Sequence, residues 1–216
     1  MSKLPFFHLV KESSYKDKPS PLLVMVHGYG SNEEDLFSFA RALPSELTII
    51  SIRGPISVQG MGYAWYDISF DSFGNKSYNQ SQAIESRDKI IKCIDLCVET
   101  YNIDNKNISL MGFSQGAILI NAIAITYPKK VKNIISLSGG IDPNILKPSL
   151  DYLNKINFYI SHGTQDVVLP FNEAKESLKI LDENKITYTF ESFPVGHGVC
   201  PENFKSMLSW FEKKLR

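Results

Sequence analysis

The chain has few of the features that mark disulfide frameworks, secreted proteins and membrane spans. It contains three cysteines among 216 residues, and an odd number without paired spacing argues against a disulfide framework. No apolar run reaches the roughly 18 to 20 residues that a membrane-spanning helix needs. Residues 1–11 hold too short an apolar stretch for a secretory signal. We therefore expect free thiols, a cytoplasmic protein and no stable membrane insertion.

An excess of charge of either sign is also missing. Lysine plus arginine and aspartate plus glutamate each number 23, so a nucleic-acid partner is not expected. Hydrophobic residues make up 43% and charged residues 21% of the chain, which is typical of a globular protein. The length suits one domain that buries about 70% of its unfolded surface. We expect a single α/β domain over residues 1–216, as a monomer or homodimer.

The cysteines point to packing more than to chemistry. Cys93 and Cys97 lie four residues apart on a predicted helix, which places two potential metal ligands on one face. No histidine is positioned beside them, so burial in the core is favoured. Cys200 follows a candidate catalytic histidine by three residues, but nothing around it indicates the electropositive setting of a reactive thiol.

Short apolar runs alternate with helical periodicity along the chain. Runs without strict alternation predict strands buried on both faces, and strands alternating with helices predict a mostly parallel sheet. Sites in such sheets lie at the carboxyl ends of the strands. Two stretches, 53–80 and 139–157, lack regular patterning and are predicted to roof the site. The predicted strands are 22–27, 48–52, 108–111, 131–138, 158–162 and an edge strand at 187–193; the predicted helices are 81–101, 115–127, one through Ala174 to Leu181, and one after Pro201.

The segment Gly112-Phe113-Ser114-Gln115-Gly116 lies between a predicted strand and a predicted helix. In this context the pattern is typical of a sharp turn that exposes a serine hydroxyl above a parallel sheet. The flanking glycines are needed where a Cβ would collide with a neighbouring element. Ser114 is therefore a candidate nucleophile, although the pentapeptide alone is a weak signal.

A serine nucleophile needs a base, and the chain has four histidines. His197, between Gly196 and Gly198 after the last predicted strand, is the favoured base. His8 is assigned to an edge or the surface, and His27 and His162 to turns at strand ends.

The acid that orients the base is predicted from the loop after strand 158–162. Asp166 lies in this loop, and Asp142, one strand earlier, is the alternative. The order Ser114, Asp166, His197 is that of α/β-hydrolases and differs from the order in chymotrypsin and subtilisin.

An oxyanion site requires preorganised N–H donors. The backbone N–H of Gln115, next to the nucleophile at a helix start, is one candidate. The loop after strand 22–27 offers Tyr29 as the other, although this loop also reads as a glycine turn before a helix capped by Ser31 or Asn32. A dinucleotide site is not indicated, because no third glycine follows at the required spacing.

Aromatic residues concentrate between positions 61 and 68. One interpretation is a satellite of the core, and the other is an apolar substrate pocket. Met61, Trp65 and Tyr66 are the candidate substrate-binding residues of the second interpretation.

Taken together, these motifs resemble the phospholipase/carboxylesterase family of α/β-hydrolases, which includes acyl-protein thioesterases and small bacterial carboxylesterases. The resemblance implies Ser114 as nucleophile, His197 as base, Asp166 as acid, Tyr29 and Gln115 as oxyanion donors, and no metal or cofactor. It covers nearly the whole chain and rests on segments 27–36, 65–67, 112–116, 162–168 and 196–202.

Two positions depart from the family pattern. Ala117 replaces a frequent glycine, and Tyr29 stands where eukaryotic thioesterases commonly carry leucine, so the Tyr29 loop is more similar to bacterial esterases. The resemblance implies a serine hydrolase for carboxylic esters or thioesters with short to medium acyl chains. A serine peptidase of the same fold and a non-catalytic binding protein are the alternatives.

Overall fold

The computed structural model describes residues 4–149 and 151–215. Position 150 of the predicted roof and the first three and last residues lie outside the described part. The strands are β1 (His8–Lys11), β2 (Ser20–Val26), β3 (Thr48–Ile52), β4 (Ile56–Val58), β5 (Gly62–Ala64), β6 (Ile68–Phe70), β7 (Lys76–Tyr78), β8 (Ile103–Phe113), β9 (Asn133–Leu137), β10 (Asn157–Gly163) and β11 (Tyr188–Phe193). The helices are α1 (Glu34–Phe37), α2 (Gln80–Thr100), α3 (Gln115–Thr126), α4 (Phe171–Ser177), α5 (Lys179–Glu183) and α6 (Pro201–Leu215).

A seven-stranded sheet forms the centre of the fold. Its strand order is β1-β3-β2-β8-β9-β10-β11. All neighbours pair in parallel except β1 and β3, which are antiparallel. Every residue of β2, β3 and β9 is buried, as expected for parallel strands covered by helices on both faces. The predicted α/β class with a mostly parallel sheet is confirmed.

Two apolar layers cover the sheet. One lies on the side of α2 and α3 and includes Cys93 and Cys97, which are buried as the core interpretation predicts. The other includes Met207 and Phe211 of α6. Helix α3 is buried along nearly its whole length, because it packs against β2, β8, β9 and α2. Within residues 4–149 and 151–215, no helix is both long enough and apolar enough to cross a bilayer.

Three local features differ from the sequence prediction. The stretch 53–80 contains two antiparallel hairpins, β4–β5 and β6–β7, whose three-residue strands are too short for a readable period. Strand β1 was not predicted, and it adds an antiparallel edge beside β3. The helix through Ala174 and Leu181 is divided into α4 and α5. The predicted edge strand at 187–193 is β11, at the other end of the sheet.

Candidate active site

Ser114 lies on a strained turn between β8 and α3, which we call the elbow (residues 112–116). Its backbone has φ 53° and ψ −117°, which a non-glycine residue rarely adopts. Its N–H donates to the Leu137 carbonyl of β9 at 2.9 Å. The turn is also sterically tight, because a Cβ on Gly116 would lie 2.0 Å from the Val26 carbonyl oxygen, and one on Gly112 would lie 2.6 Å from the Gly116 backbone. Both glycines are therefore required by close backbone approach.

Ser114, His197 and Asp166 form one hydrogen-bonded chain. The Ser114 hydroxyl lies 2.8 Å from Nε2 of His197, and Nδ1 of His197 lies 2.7 Å from Oδ2 of Asp166. The three side chains come from the loops after β8, β10 and β11. The Asp166 side chain is fully buried and that of His197 is 18% exposed. Since a carboxylate only accepts, Nδ1 of His197 carries the hydrogen and Nε2 is free to accept from Ser114.

The Asp166 carboxylate is held in its ionised form. Burial raises its pKa, but hydrogen bonds from His197 and from the backbone of Leu169 and Val168 outweigh that effect, so the net pKa lies below its ordinary value. Both backbone N–H groups donate to Oδ1 at 2.9 Å, which leaves Oδ2 for His197.

Asp142, the alternative acid, is engaged elsewhere. Its carboxylate accepts a hydrogen bond from the Tyr78 hydroxyl. It also accepts from the backbone N–H of Asn144 at 2.9 Å and from its side chain at 3.0 Å. Asp142 thus closes a turn in the loop after β9, and the structure does not bring it to His197.

The loop after β2 passes directly beside the nucleophile. A Cβ on Gly28 would lie 3.3 Å from the Ser114 Cβ. In the described part of the chain, neither the Tyr29 N–H nor the Gln115 N–H donates to another protein group. Gln115 is also the first residue of α3, where the helix dipole favours negative charge. The two predicted oxyanion donors are therefore free to bind an anionic oxygen.

A buried polar network that the sequence did not reveal supports this loop. The Gly54 N–H donates to Nε2 of His27 at 2.9 Å, so Nδ1 of His27 carries a hydrogen and bonds the Gly28 carbonyl at 2.7 Å. Burial lowers the pKa of His27, which keeps the ring neutral. The Trp65 indole N–H donates to the His27 carbonyl at 2.9 Å. His27, which was assigned to a simple turn, thus links the loop to two neighbouring segments.

Trp65 and Tyr66 do not line an open pocket. Trp65 is completely buried and Tyr66 is 5% exposed. The Gln115 side chain accepts from the Trp65 N–H and donates to the Tyr66 carbonyl, both at 2.8 Å. Their buried positions therefore disagree with the predicted contact to substrate. Through Gln115, both residues support the turn that carries Ser114. The sequence prediction used only the backbone N–H of Gln115. The amide side chain of Gln115 was the feature that could have indicated this supporting role.

Met61 occupies a different environment from Trp65. It is 66% exposed, and its methyl group lies 2.7 Å from where a Cβ on Gly30 would be. Met61 is therefore placed on the outer rim of the loop that carries Tyr29, where a substrate contact remains a proposal.

A partly buried ion pair fixes the far end of the same loop. The guanidinium of Arg53 makes two hydrogen bonds to the Glu33 carboxylate, whose side chain is 4% exposed. Arg53 also lies between the rings of Phe7 and Tyr63, 4.1 and 4.5 Å from their centroids. The hydrogen bond from Arg53 holds the pKa of Glu33 below its ordinary value of 4.5.

Acid should therefore destabilise the fold through Glu33. Because the folded pKa is lowered, the contribution of the pair to the free energy of unfolding is present above the unfolded pKa and is lost as pH falls through the folded pKa. We expect Glu33→Gln to be less stable than the parent at pH 7, and the difference to shrink below about pH 4.5. Urea unfolding from pH 7 to pH 3 measures it. Glu34→Gln, which removes the same charge at an exposed position, should show little difference at any pH.

A pocket of about 270 Å³ is lined in part by residues that are hydrogen-bonded to members of the Ser114–His197–Asp166 chain. The N–H of Ile118 donates to the Ser114 carbonyl at 3.1 Å, and the N–H of Leu169 donates to Asp166. None of the predicted substrate residues Met61, Trp65 and Tyr66 lines the pocket. Its lining is mostly apolar and also contains two acidic residues. The lining residues include Ile118, Gly139, Ile141, Leu169, Ala174, Asp142 and Glu173.

Known proteins are similar to this chain in sequence and architecture. Acyl-protein thioesterase 1 of Saccharomyces cerevisiae is 30% identical over 164 residues, covering 70% of this chain and 69% of the yeast protein. Carboxylesterase SOBER1 of Arabidopsis thaliana is 26% identical over 157 residues, covering 71% of this chain and 68% of the plant protein. The crystal structure of the Bacillus cereus carboxylesterase has 21% identity, covers 97% of this chain and 95% of its own, and superposes with a TM-score of 0.81. This likeness shows the α/β-hydrolase fold.

The family profile described as phospholipase/carboxylesterase matches residues 10–215. The match includes the elbow, the loop after β2 and the two loops that carry Asp166 and His197. The chain therefore belongs to the phospholipase/carboxylesterase family of carboxylic ester hydrolases.

Proposed function

We propose that the chain is a serine hydrolase that cleaves carboxylic esters or thioesters with short to medium acyl chains through Ser114, His197 and Asp166. The observation that carries the proposal is the continuous hydrogen-bonded chain from the Ser114 hydroxyl through His197 to the buried Asp166. A serine hydroxyl is a poor nucleophile until such a base accepts its proton.

Acylation follows from this geometry. Ser114 Oγ attacks the carbonyl carbon while its proton moves to Nε2 of His197. The ionised Asp166 stabilises the resulting imidazolium through the Nδ1–H bond. Negative charge on the carbonyl oxygen is stabilised by the free N–H groups of Tyr29 and Gln115. When the tetrahedral intermediate collapses, Nε2 returns the proton to the departing alkoxide or thiolate, and the acyl group stays on Ser114.

Deacylation reverses the proton transfers. His197 accepts a proton from water, the hydroxide attacks the acyl-enzyme carbonyl, and the same N–H groups bind the new oxyanion. Collapse returns the proton to Ser114 Oγ and releases the carboxylic acid. The buried hydrogen bonds of Gln115 and His27 keep both donors in place during the two steps.

The pocket lined by Ile118 and Leu169 supports a neutral acyl group of limited length. A volume of about 270 Å³ is close to the lower end of ordinary ligand pockets. Its apolar lining favours hydrocarbon, whereas the acidic residues Asp142 and Glu173 in the lining disfavour a second carboxylate on the substrate. Short and medium monocarboxylic acyl groups fit these conditions.

A graded panel of p-nitrophenyl esters and acyl thioesters tests the proposal. We expect the parent to hydrolyse acetate, butyrate and hexanoate derivatives, and Ala174→Phe to lose kcat/KM about tenfold or more for hexanoate while acetate changes little, because the larger ring fills the pocket. Ala174→Ser, which keeps the pocket volume, should retain the parent chain-length profile. Absence of hydrolysis of every ester and thioester would contradict the function, and an unchanged profile in Ala174→Phe would contradict only the pocket assignment.

A further inference from the structure

His162, at the end of β10, is a second histidine in contact with the buried carboxylate of the hydrogen-bonded chain. Its side chain is fully buried. Nε2 lies 2.8 Å from the Leu169 carbonyl oxygen and 3.2 Å from Oδ2 of Asp166. The contact is outside the Ser114–His197–Asp166 chain, and a strand-end turn does not explain it.

The surroundings determine the tautomer of His162. Nε2 faces two acceptors, the Leu169 carbonyl and the Asp166 carboxylate, so it carries the hydrogen. Nδ1 is buried and has no hydrogen-bond partner within residues 4–149 and 151–215. A buried polar atom without a partner is costly. The contacts of Nε2 therefore set the orientation of the ring, and this orientation leaves Nδ1 without a hydrogen bond.

His162, Leu169 and Asp166 form a closed loop of contacts. Leu169 donates its N–H to Oδ1 of Asp166 at 2.9 Å and accepts from His162 with its carbonyl at 2.8 Å. His162 thus acts on the carboxylate in two ways: it binds the carbonyl of the residue whose N–H donates to Oδ1, and it places its own Nε2–H beside Oδ2. Oδ2 is the atom that accepts from His197.

We propose that His162 is a positioning residue that fixes the orientation of the Asp166 carboxylate toward His197. Without it, Oδ2 loses a flanking donor and the Leu169 carbonyl loses its hydrogen bond, so the carboxylate rotates away from Nδ1 of His197. The imidazolium formed during acylation and deacylation is then less stabilised, so the loss falls mainly on kcat. This inference rests on the proposed function.

Steady-state hydrolysis of p-nitrophenyl butyrate by four proteins tests the role. His162→Leu keeps a buried side chain but removes the donor. We expect kcat to fall roughly 10- to 100-fold, the range for hydrogen bonds to a charged group, with a smaller change in KM. His162→Gln places an amide N–H near the position of Nε2 and should restore kcat to within about threefold of the parent. Phe171→Leu trims a ring whose centroid lies 6.2 Å from that of His162, and it should leave kcat at the parent value.

The outcomes separate positioning from packing. A parent-like kcat in His162→Leu, a kcat in His162→Gln as low as in His162→Leu, or an equal loss in Phe171→Leu overturns the inference. If His162→Leu does not fold, His162→Asn replaces it, because this amide is one methylene too short to reach the Leu169 carbonyl. Equal kcat in His162→Gln and His162→Asn then overturns it. A parent without any esterase activity would instead contradict the proposed function.

Discussion

Ser114→Ala is expected to lower turnover of p-nitrophenyl butyrate by roughly 10⁴ to 10⁶ without unfolding the protein. The substitution removes the only atom proposed to bond the acyl group. The fold should persist, because alanine adopts the strained backbone of the elbow as well as serine does, and the N–H bond to Leu137 remains. Hydrolysis assays with long incubation times measure the residual turnover, and circular dichroism of the same sample measures whether the protein is folded.

Covalent labelling by a fluorophosphonate probe tests directly whether Ser114 is the reactive nucleophile. The parent should be labelled covalently and Ser114→Ala should not, whereas Ser81→Ala, which removes an exposed serine hydroxyl in the first turn of α2, should behave as the parent. Labelling of Ser114→Ala at the parent rate would place the nucleophile elsewhere. A chain that binds esters without labelling would favour the non-catalytic alternative.

Asp166→Asn is expected to lower kcat by about 10⁴. Asparagine can still accept the N–H bonds of Val168 and Leu169 with its carbonyl oxygen, so the loop after β10 should keep its shape. Its NH₂ group then faces Nδ1 of His197 and cannot accept a hydrogen bond. The imidazole is driven to the tautomer with hydrogen on Nε2, which cannot accept the proton of Ser114.

Asp142→Asn distinguishes the two candidate acids that the sequence leaves open. Asp142 bonds to Tyr78 and Asn144, so its amide variant should lose less than about tenfold in kcat. A loss comparable with that of Asp166→Asn would assign the acid to the loop after β9. Parallel kcat measurements on both variants, with thermal unfolding to compare their stability, decide between them.

Local patterns predicted the buried parallel strands and the loops of the proposed site. Buried parallel strands are continuous apolar runs, and the polar residues that follow them, such as Ser114 and Asp166, must lie at one edge of the sheet. That rule needs no knowledge of side-chain contacts. The catalytic roles of Ser114, His197 and Asp166 stay a prediction.

The pocket and its supports could not be predicted from local patterns. An aromatic-rich segment indicates burial or a binding surface equally well, and only tertiary packing shows that Trp65 lies beneath the loop after β2. The pocket is instead formed by ordinary residues such as Ile118, Leu169 and Ala174, which carry no motif. The contact of His162 with Asp166 also depends on how the chain turns after β10. Three-residue strands such as β6 form by pairing within a hairpin, and they are too short to show a periodic pattern of apolar residues in the sequence.

The position of β11 at the edge of the sheet has a consequence for how the protein loses activity. His197 follows this strand directly, and β11 pairs only with β10 within the described sheet. Edge elements open locally at a lower free energy than central ones. The proposed base is thus attached to the least enclosed of the parallel strands, whereas Ser114 is anchored between central ones. Inactivation by heat or denaturant is therefore expected to precede global unfolding. Loss of activity would then measure the local opening of β11 at the edge of the sheet.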